Sequence, residues 1–404
     1  MKVRMPMRRV YMDANATTPL LPEVMEAMRP YFMERFGNAS SVHSFGQQAR
    51  SAVEQARVNV AALLHCRPAE IVFTSGGTES DNLALFGATQ PGDHILTTAI
   101  EHHAVLHTAE RLAQCGREVT FLPCNSIGVI HPDEVRRALR PNTRLISVMM
   151  ANNETGAVQP VAAIGKIAAE AGALFHTDAV QAAAKLPIDV GAIGCHLLSI
   201  SGHKMHAPQG TGVLFVRKDT KINPLFYGGA HERQRRAGTQ NVAGIVGLGK
   251  AAEIARMGFN EGVPQRIAAL RDRLERAILT RVDQAGAHGG DVAQGGMIAR
   301  VPNTTNLWFD HLEGEALVIA LDLKGLAISG GSACASGASE PSHVLTAMGV
   351  PSARARASLR FSLSKLTTEE DVDFAIAVVP QAVARLRELS PVYHLPQSTI
   401  PAAS

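Results

Sequence analysis

The stretch SISGHKMH, Ser199–His206, places one lysine directly after an apolar run. The run before it, residues 196–200, is typical of a buried strand, whereas lysine is usually a solvated surface residue. One explanation for Lys204 is a strand that simply ends at the surface, where charged residues are common. The other is a lysine held at a strand end for chemistry, and the rest of the chain has to decide between them.

Short apolar runs alternate with helix-like segments from about residue 50 to 220, which indicates an α/β fold. The runs predicted as strands are residues 71–73, 94–98, 119–122, 145–150, 173–176 and 196–200. Strands that alternate with helices predict a parallel or mostly parallel sheet covered on both faces. A further run, residues 212–216, follows Lys204 by too few residues for a crossover helix, so it is predicted to run antiparallel.

Beyond about residue 260 the pattern changes to that of a smaller α+β domain. Residues 263–286 have spaced apolar positions among many arginines, as in an amphipathic linker helix. Thr367 and Glu370 have capping-box spacing at the start of an apolar-periodic stretch that reaches about residue 388. Shorter strands are predicted near residues 305–309, 326–329 and 357–363.

Composition excludes several classes of protein. Of the 404 residues, 46% are hydrophobic, which argues against a disordered chain. The formal charge is only +3 and aromatic residues make up 4%, so nucleic acid is not an expected partner. No run of about 18 apolar residues predicts a membrane span. The basic N-terminal residues are not followed by an apolar stretch, so we expect a cytoplasmic location.

The five cysteines, an odd number without a C-x-x-C pair, argue against a disulfide framework or a cysteine-rich zinc site. Four of them are interpreted as structural or incidental: Cys66, Cys115, Cys124 and Cys195. Cys334 differs because residues 329–337 are almost all small, which predicts a mobile loop with an exposed thiol. Such a thiolate is suited to attacking a sulfur atom and carrying it away.

Polar residues or glycines follow each of five predicted strands, where open α/β sheets bind their ligands. These strand ends are residues 75–78, 101–102, 152–154, 178–181 and 201–204. A structural sheet can end in any polar turn, but a His, an Asn, an Asp and a Lys at neighbouring strand ends favour a binding site.

The chemistry of three strand ends fits pyridoxal phosphate. Ser75–Thr78 lies between a strand and a helix, so its amides and the helix N-terminus suit a phosphate, although an ordinary tight turn gives the same pattern. Asp178 suits a protonated ring nitrogen; a salt bridge or a helix N-cap is the alternative. Lys204 would then form a Schiff base with the aldehyde.

Three histidines and an arginine have alternative explanations. His102, His103 and His107 resemble metal ligands in spacing, but no carboxylate-bearing H-E-x-x-H pattern accompanies them, so no metal is predicted. His102 is instead expected to stack on the cofactor ring and move protons. Arg360 alternates with apolar neighbours; taken alone this pattern favours a solvent-facing side chain over a clamp for a substrate carboxylate.

Taken together, these motifs make the chain closely resemble the cysteine desulfurases of the NifS/IscS type, within the class V aminotransferase family of fold-type I pyridoxal phosphate enzymes. The resemblance extends from about residue 11 to residue 391. The motifs that carry it are residues 11–19, 36–38, 73–82, 152–156, 201–204, 236–239 and 360–362. Two departures are the Ala207–Gly210 turn and the segment after Pro391, and the second leaves the identity of the sulfur acceptor open.

The resemblance implies a large domain, residues 16–260, with a mostly parallel seven-stranded sheet sandwiched by helices. It implies a small α+β domain formed by residues 1–15 and 261–404, with the cysteine on a mobile loop at about residues 329–340. It also implies a homodimer with shared sites.

The resemblance also implies the role of each site residue. Lys204 is the Schiff-base lysine, His102 the stacking and catalytic histidine, and Cys334 the persulfide-forming cysteine. Asn153 and Arg360 hold the substrate carboxylate. The residues implied to bind the cofactor are Gly77, Thr78, His102, Asn153, Asp178 (ring nitrogen), Gln181 (ring hydroxyl), Ser201, His203, Lys204 and Thr239, the last one from the partner subunit.

The implied reaction converts L-cysteine to L-alanine and leaves the sulfur on the enzyme as a persulfide. An acceptor then takes the sulfur for iron–sulfur cluster assembly or for other sulfur-containing products, and the sequence does not distinguish nitrogenase, housekeeping or tRNA thiolation pathways. Selenocysteine lyase or another class V pyridoxal phosphate enzyme is the alternative.

Overall fold

The computed structural model describes residues 8–229, 231–289, 300–330, 341–389 and 393. The strands in these residues are β1 (Val10–Tyr11), β2 (Ile71–Thr74), β3 (His94–Thr98), β4 (Glu118–Leu122), β5 (Thr143–Ser147), β6 (Leu174–Asp178), β7 (Leu197–Ser201), β8 (Gly212–Val216), β9 (Ala285–His288), β10 (Thr304–Phe309), β11 (Leu326–Ala327), β12 (Ser329–Gly330) and β13 (Ser358–Ser362). The α-helices are α1 (Pro22–Met28), α2 (Pro30–Met33), α3 (Ser44–Leu64), α4 (Gly77–Ala88), α5 (His103–Gln114), α6 (Pro132–Ala138), α7 (Val161–Glu170), α8 (Val190–Ile193), α9 (Val242–Asn260), α10 (Val263–Arg281), α11 (Gly314–Asp322), α12 (His343–Ala347), α13 (Ser352–Arg356) and α14 (Glu369–Leu389). None of these helices is long and apolar enough to cross a membrane.

The central sheet has seven strands in the order β2-β8-β7-β6-β5-β3-β4. Strands β3 to β7 are mutually parallel, and β8 runs antiparallel to both β7 and β2. The predicted mostly parallel sheet and the antiparallel strand after Lys204 are therefore confirmed. The strand predicted over residues 145–150 ends at Ser147, although the chain beyond it still bonds to β6 through the amide of Met150 and the carbonyl of Asp178, 2.8 Å apart.

Both faces of this sheet are covered by helices, because neighbouring side chains of each strand point to opposite faces. In β2, Val72 packs into a cluster with residues of α4 and α5. Ile71 and Phe73 pack instead into the larger cluster that contains residues of α3, α7 and α9. This two-sided burial explains why the strands are read in the sequence as continuous apolar runs.

A second, antiparallel sheet has the order β12-β13-β10-β9, and β1 pairs in parallel with β11. Residues of α10, α11 and α14 form a separate apolar cluster with residues of β1, β10 and β13. The small α+β unit is thus confirmed, but the helix predicted over residues 263–286 ends at Arg281, because residues 285–288 form β9.

The predicted capping box at the start of the last helix is wrong by one residue. The Asp371 amide donates to the Thr368 hydroxyl, and the Thr368 amide donates to the Asp371 carboxylate, both at 3.2 Å. Thr367 instead accepts a hydrogen bond from the amide of Ser364. Thr368 and Asp371 have the same spacing as Thr367 and Glu370, so the sequence pattern does not distinguish the two pairs.

Candidate active site

A cavity of about 400 Å³ lies at the carboxyl ends of the parallel strands of the central sheet, within the size range of small-molecule sites. We call it the strand-end cavity. It is lined by Asn15, Ala16, Gly77, Thr78, Asp81, His102, Met149, Asn153, Asp178, Val180, Gln181, Ser201, His203, Lys204 and Arg360. Every site residue predicted from the sequence that the structure describes lies among them, except Thr239.

The glycine turn after β2 forms one end of the cavity. Helix α4 begins at Gly77, directly after the turn, and the side chain of Ser201 lies beside it. A β-carbon at position 77 would lie 2.9 Å from Cγ2 of Val180, so a residue larger than glycine does not fit without movement. Backbone amides at a helix N-terminus, with the hydroxyls of Thr78 and Ser201 lining the same cavity, suit a phosphate.

Lys204 stands one short 3₁₀ turn after β7. Its Nζ donates to the backbone carbonyls of Asn15 and Ala16, each at 2.6 Å. Asp178, the last residue of β6, is buried and accepts a hydrogen bond from the Val180 amide at 2.8 Å. Burial raises the pKa of Asp178 to about 6, and the charge of Lys204 opposes this rise. A lysine and a carboxylate thus lie in the same cavity as the anion-binding turn.

His102 caps the N-terminus of α5 and lines the strand-end cavity. Its Nδ1 accepts a hydrogen bond from the Ala104 amide at 3.1 Å. Burial, together with the charge of Lys204, lowers the pKa of His102 to about 4. The ring is therefore neutral near pH 7, and because Nδ1 is an acceptor, the ring proton is on Nε2.

Arg360 is buried, so the solvent-facing side chain favoured by its local pattern is wrong. It lies in β13, a strand with no face open to water at this position: all five residues are buried. Its guanidinium donates to the Asp13 carboxylate at 2.8 Å and to the Asn153 carbonyl at 3.2 Å. Its Nε has no partner among the described residues, which leaves one donor for a ligand.

Asn15 is a cavity residue that the sequence analysis did not single out. Its carbonyl accepts hydrogen bonds from Lys204 Nζ at 2.6 Å and from Gln181 Nε2 at 3.0 Å. Its side-chain oxygen accepts from Lys185 Nζ at 2.9 Å. Lys185 also donates to Gln181 Oε1 at 2.6 Å. The only sequence signal was the position of Asn15 inside the motif of residues 11–19.

Two predicted residues are not placed in the cavity by the structure. Thr239 is exposed and does not line it, although Arg236 nearby donates to the Glu79 carboxylate on α4 at 2.9 Å. Cys334 lies outside the described residues. The stacked rings of His103 and His107 have centroids 4.9 Å apart. Within the described ranges, no group of three or more metal-ligating side chains is arranged to hold an ion.

The four described cysteines are free thiols, and three of them are in settings that disfavour reactivity. Burial raises the pKa of both Cys66 and Cys195 to about 12, and it also raises the pKa of Cys124. A thiol with a raised pKa is protonated near pH 7 and is a poor nucleophile. These three residues therefore fit the structural or incidental role predicted for them.

Comparison with known proteins identifies the family. The family model described as "Aminotransferase class-V" matches residues 10–374. The cysteine desulfurase IscS of Dictyoglomus turgidum is 45% identical over 388 residues, which cover 95% of this chain and 97% of the relative. The cysteine desulfurase IscS of Methanosarcina thermophila is 49% identical over 389 residues, which cover 95% and 94%.

Solved structures agree with these relatives. A structure titled as a NifS-like protein superimposes with a TM-score of 0.86 at 36% identity and covers 94% of this chain and 100% of its own. A structure titled "SspA in complex with cysteine" has a TM-score of 0.77 at 36% identity and covers 89% and 100%. The chain therefore belongs to the class V aminotransferase family and, within it, to the cysteine desulfurases of the NifS/IscS type.

Proposed function

We propose that this protein is a pyridoxal phosphate-dependent cysteine desulfurase that releases L-alanine from L-cysteine and carries the sulfur as a persulfide on Cys334. The observation that carries the proposal is the meeting of Lys204, Asp178 and the glycine start of α4 in one cavity. An iron–sulfur scaffold or another sulfur carrier is the proposed acceptor.

The residues of the strand-end cavity fit pyridoxal phosphate. Its phosphate suits the N-terminus of α4, where the hydroxyls of Thr78 and Ser201 line the cavity beside the backbone amides. Asp178 suits the ring nitrogen, Gln181 the ring hydroxyl, and Lys204 the aldehyde. When bound, pyridoxal phosphate supplies an electron sink for the charge that develops as bonds to the substrate break.

The side chains around the coenzyme position bind the substrate and move its protons. The unpaired Nε of Arg360 and the amide of Asn153 are placed to hold the carboxylate of L-cysteine. Lys204 Nζ is the base that takes the proton from the α-carbon. His102 lines the same cavity: its neutral ring offers a face that can stack on the coenzyme, and its Nε2–H can donate a proton.

The sulfur step balances without an external oxidant. The Cys334 thiolate forms a bond to the substrate sulfur as the bond between that sulfur and the β-carbon breaks. The electron pair of the broken bond remains with the β-carbon side, and the β-carbon takes a proton to give alanine. The enzyme is left with one added sulfur on Cys334.

The test is mass spectrometry of the holoenzyme after incubation with L-cysteine. We expect one added sulfur on the peptide that contains Cys334, and none in Cys334→Ala. Cys124→Ala is the matched control and should load sulfur normally, because burial raises the pKa of that thiol. Cys334→Ala releasing sulfide at the normal rate would refute the persulfide assignment. A visible coenzyme band that survives in Lys204→Ala would refute the role of the lysine.

A homodimer is part of the proposal, because Thr239 is exposed in a single chain. Large apolar side chains are also exposed in two nearby segments: Tyr227 is 85% exposed and Met33 is 79% exposed. The chain just after Met33 approaches the chain just after Tyr227, since Ser40 Oγ lies 3.4 Å from His231 Nδ1. A second copy that covers this surface would bury the apolar side chains and bring Thr239 to its phosphate.

Light scattering after gel filtration tests the dimer. We expect twice the chain mass for the wild type, and a monomer with weakened coenzyme binding for Tyr227→Asp. Leu323→Asp is the matched control, since that side chain is also well exposed but follows α11 in the small unit. A wild-type protein that runs as a monomer and binds the coenzyme normally would contradict the shared site.

A further inference from the structure

Asp81 lines the strand-end cavity, and no described lysine or arginine forms an ion pair with its carboxyl group. It stands on α4, one helical turn after Gly77, and is only 1% exposed. Its Oδ1 has no hydrogen-bond partner among the described residues. Among the described residues, the ionisable nitrogen paired with it is Nε2 of His176, 3.6 Å from Oδ1. An ionised carboxylate in such a place would be costly, whereas a neutral acid is tolerated.

His176 does not supply the missing charge. Burial lowers the pKa of His176 to about 3, so its ring is neutral. Its Nε2 lies 3.0 Å from the Ser199 hydroxyl and its Nδ1 lies 2.8 Å from the Ser147 hydroxyl. Asp81 therefore lies beside a buried network of neutral groups on β7, β6 and β5, and this network supplies no positive charge.

The other ionisable groups that face this region favour a proton on Asp81. Burial raises the pKa of Asp81, and the negative charge of Asp178 raises it further, whereas the nearby Ser199 hydroxyl lowers it. Glu101, which follows β3, is itself buried, and burial raises its pKa to about 8. The positive groups that line the cavity are Lys204 and Arg360.

Asp178 is better placed than Asp81 to keep a negative charge. Its carboxylate accepts a hydrogen bond from the Val180 amide, and the charge of Lys204 favours its ionised form. Among the described residues, no backbone amide donates to Asp81 Oδ1, and no lysine or arginine forms an ion pair with Asp81. Two carboxyl groups that repel each other in a buried site share one proton, and the proton goes to the group with the poorer stabilisation of charge.

We propose that Asp81 is a positioning residue that stands in the strand-end cavity as a neutral carboxylic acid, so that Asp178 is the carboxylate that faces the coenzyme ring nitrogen. The proposal rests on the proposed function for the coenzyme. It explains why a second acid is tolerated in the cavity: a neutral acid beside the neutral ring of His176 avoids the cost of a second buried negative charge.

The first test is infrared spectroscopy of protein labelled with ¹³C-aspartate, with and without coenzyme. A protonated carboxyl group has a carbonyl stretch that an ionised one lacks. We expect an isotope-shifted carbonyl band at pH 7 that is lost in Asp81→Asn. Asp133→Asn, an exposed acid at the start of α6, is the control and should keep the band. Absence of the band from the wild type in both forms would overturn the proposal without touching the coenzyme assignment.

The second test is the pH midpoint of the coenzyme's visible absorption band. Asp81→Asn replaces one neutral group by another, so we expect the midpoint to stay within about 0.3 pH units of the wild type. Removal of a negative charge beside the coenzyme would lower the midpoint by about 1 unit or more, and that result would overturn the proposal. Asp178→Asn is the positive control and should lower it. A wild type that shows no coenzyme band refutes the proposed function instead.

Discussion

Lys185 hydrogen-bonds two residues of the strand-end cavity, Gln181 and Asn15, and its removal should weaken coenzyme binding. Its amine donates to Gln181 Oε1 at 2.6 Å and to Asn15 Oδ1 at 2.9 Å. Burial lowers the pKa of Lys185 well below its ordinary value, and the charges of Lys204 and Arg360 lower it further. A neutral amine still has the two hydrogens that these bonds need. The amine therefore fixes which way the Gln181 amide faces.

The substitution Lys185→Met keeps the length of the side chain and removes only the donor. Asn15 Oδ1 retains a bond from Asn303 Nδ2 at 3.0 Å, so the acceptor left unpaired is Gln181 Oε1. A buried acceptor without a partner costs about 1–3 kcal/mol, which the amide relieves by turning away from its place. The coenzyme then has to restore the unpaired orientation, so its affinity should fall by about 5- to 150-fold.

The assay is titration of the coenzyme-free protein with pyridoxal phosphate, followed by the visible band. Lys166→Met is the matched control, because Lys166 is an exposed lysine on α7 and should bind the coenzyme as the wild type does. Circular dichroism establishes that both variants fold. A folded Lys185→Met protein with wild-type affinity would show that the orientation of Gln181 does not depend on Lys185, and the reasoning would fail.

Three further changes have defined outcomes. Burial raises the pKa of Glu101 from 4.5 to about 8, so the folded chain holds a proton that the unfolded chain loses. As the pH rises from about 4.5 to about 8, the wild type should therefore lose roughly 3–5 kcal/mol of unfolding free energy relative to Glu101→Gln. Unfolding free energies of the two proteins that change in parallel with pH would contradict this. Arg57→Ala leaves the buried carboxylate of Glu232 without its ion pair and should lower the unfolding free energy by about 3–5 kcal/mol in urea titrations, whereas an unchanged midpoint would refute the pair's role. Gly77→Ala places a methyl group 2.9 Å from Val180 Cγ2 and should weaken coenzyme binding about tenfold or more, with partial recovery when Val180→Ala is added; unchanged affinity in the single variant would exclude the close approach.

The central sheet could be predicted because its signal is local. A buried strand such as β7 carries apolar residues on both faces, and the short gap before β8 is too small for a crossover helix. Strand β9 could not be predicted, because its residues, Ala285–His288, include no β-branched or large apolar side chain. It forms a strand because it pairs with β10, and local sequence does not reveal such a tertiary contact.

The cavity could be predicted in part for the same reason. Residues at or just beyond the end of a strand can be identified from the sequence, and Asp178, Lys204 and His102 all line the cavity from such positions. Asp81 is one turn inside a helix and reads as an ordinary polar position. Arg360 reads as solvent-facing because an alternating pattern does not reveal what covers the other face of a strand.

Asn15 shows why the remaining contacts could not be read from local patterns. Its carbonyl holds Lys204, which is 189 residues away in the sequence. Its backbone amide donates to the Ser362 hydroxyl at 2.9 Å, and its side-chain amide donates to the Thr304 hydroxyl at 2.8 Å and the Asn153 carbonyl at 3.0 Å. One residue therefore ties the lysine of the large sheet to two strands of the small one.

This arrangement has a consequence for how the cavity forms. Asn15 helps to set the relative positions of Arg360, on β13 of the small sheet, and Lys204, beyond β7 of the large sheet, because it bonds to both units. Apolar packing also joins the two units, since the cluster of the large sheet includes Val301, Val344 and Leu345, but burial is non-directional and does not set the distance between the two side chains. Directional hydrogen bonds do set it, since they weaken steeply when geometry is lost. The short segment around Asn15 is thus part of the site, even though it comes long before the residues that perform the chemistry.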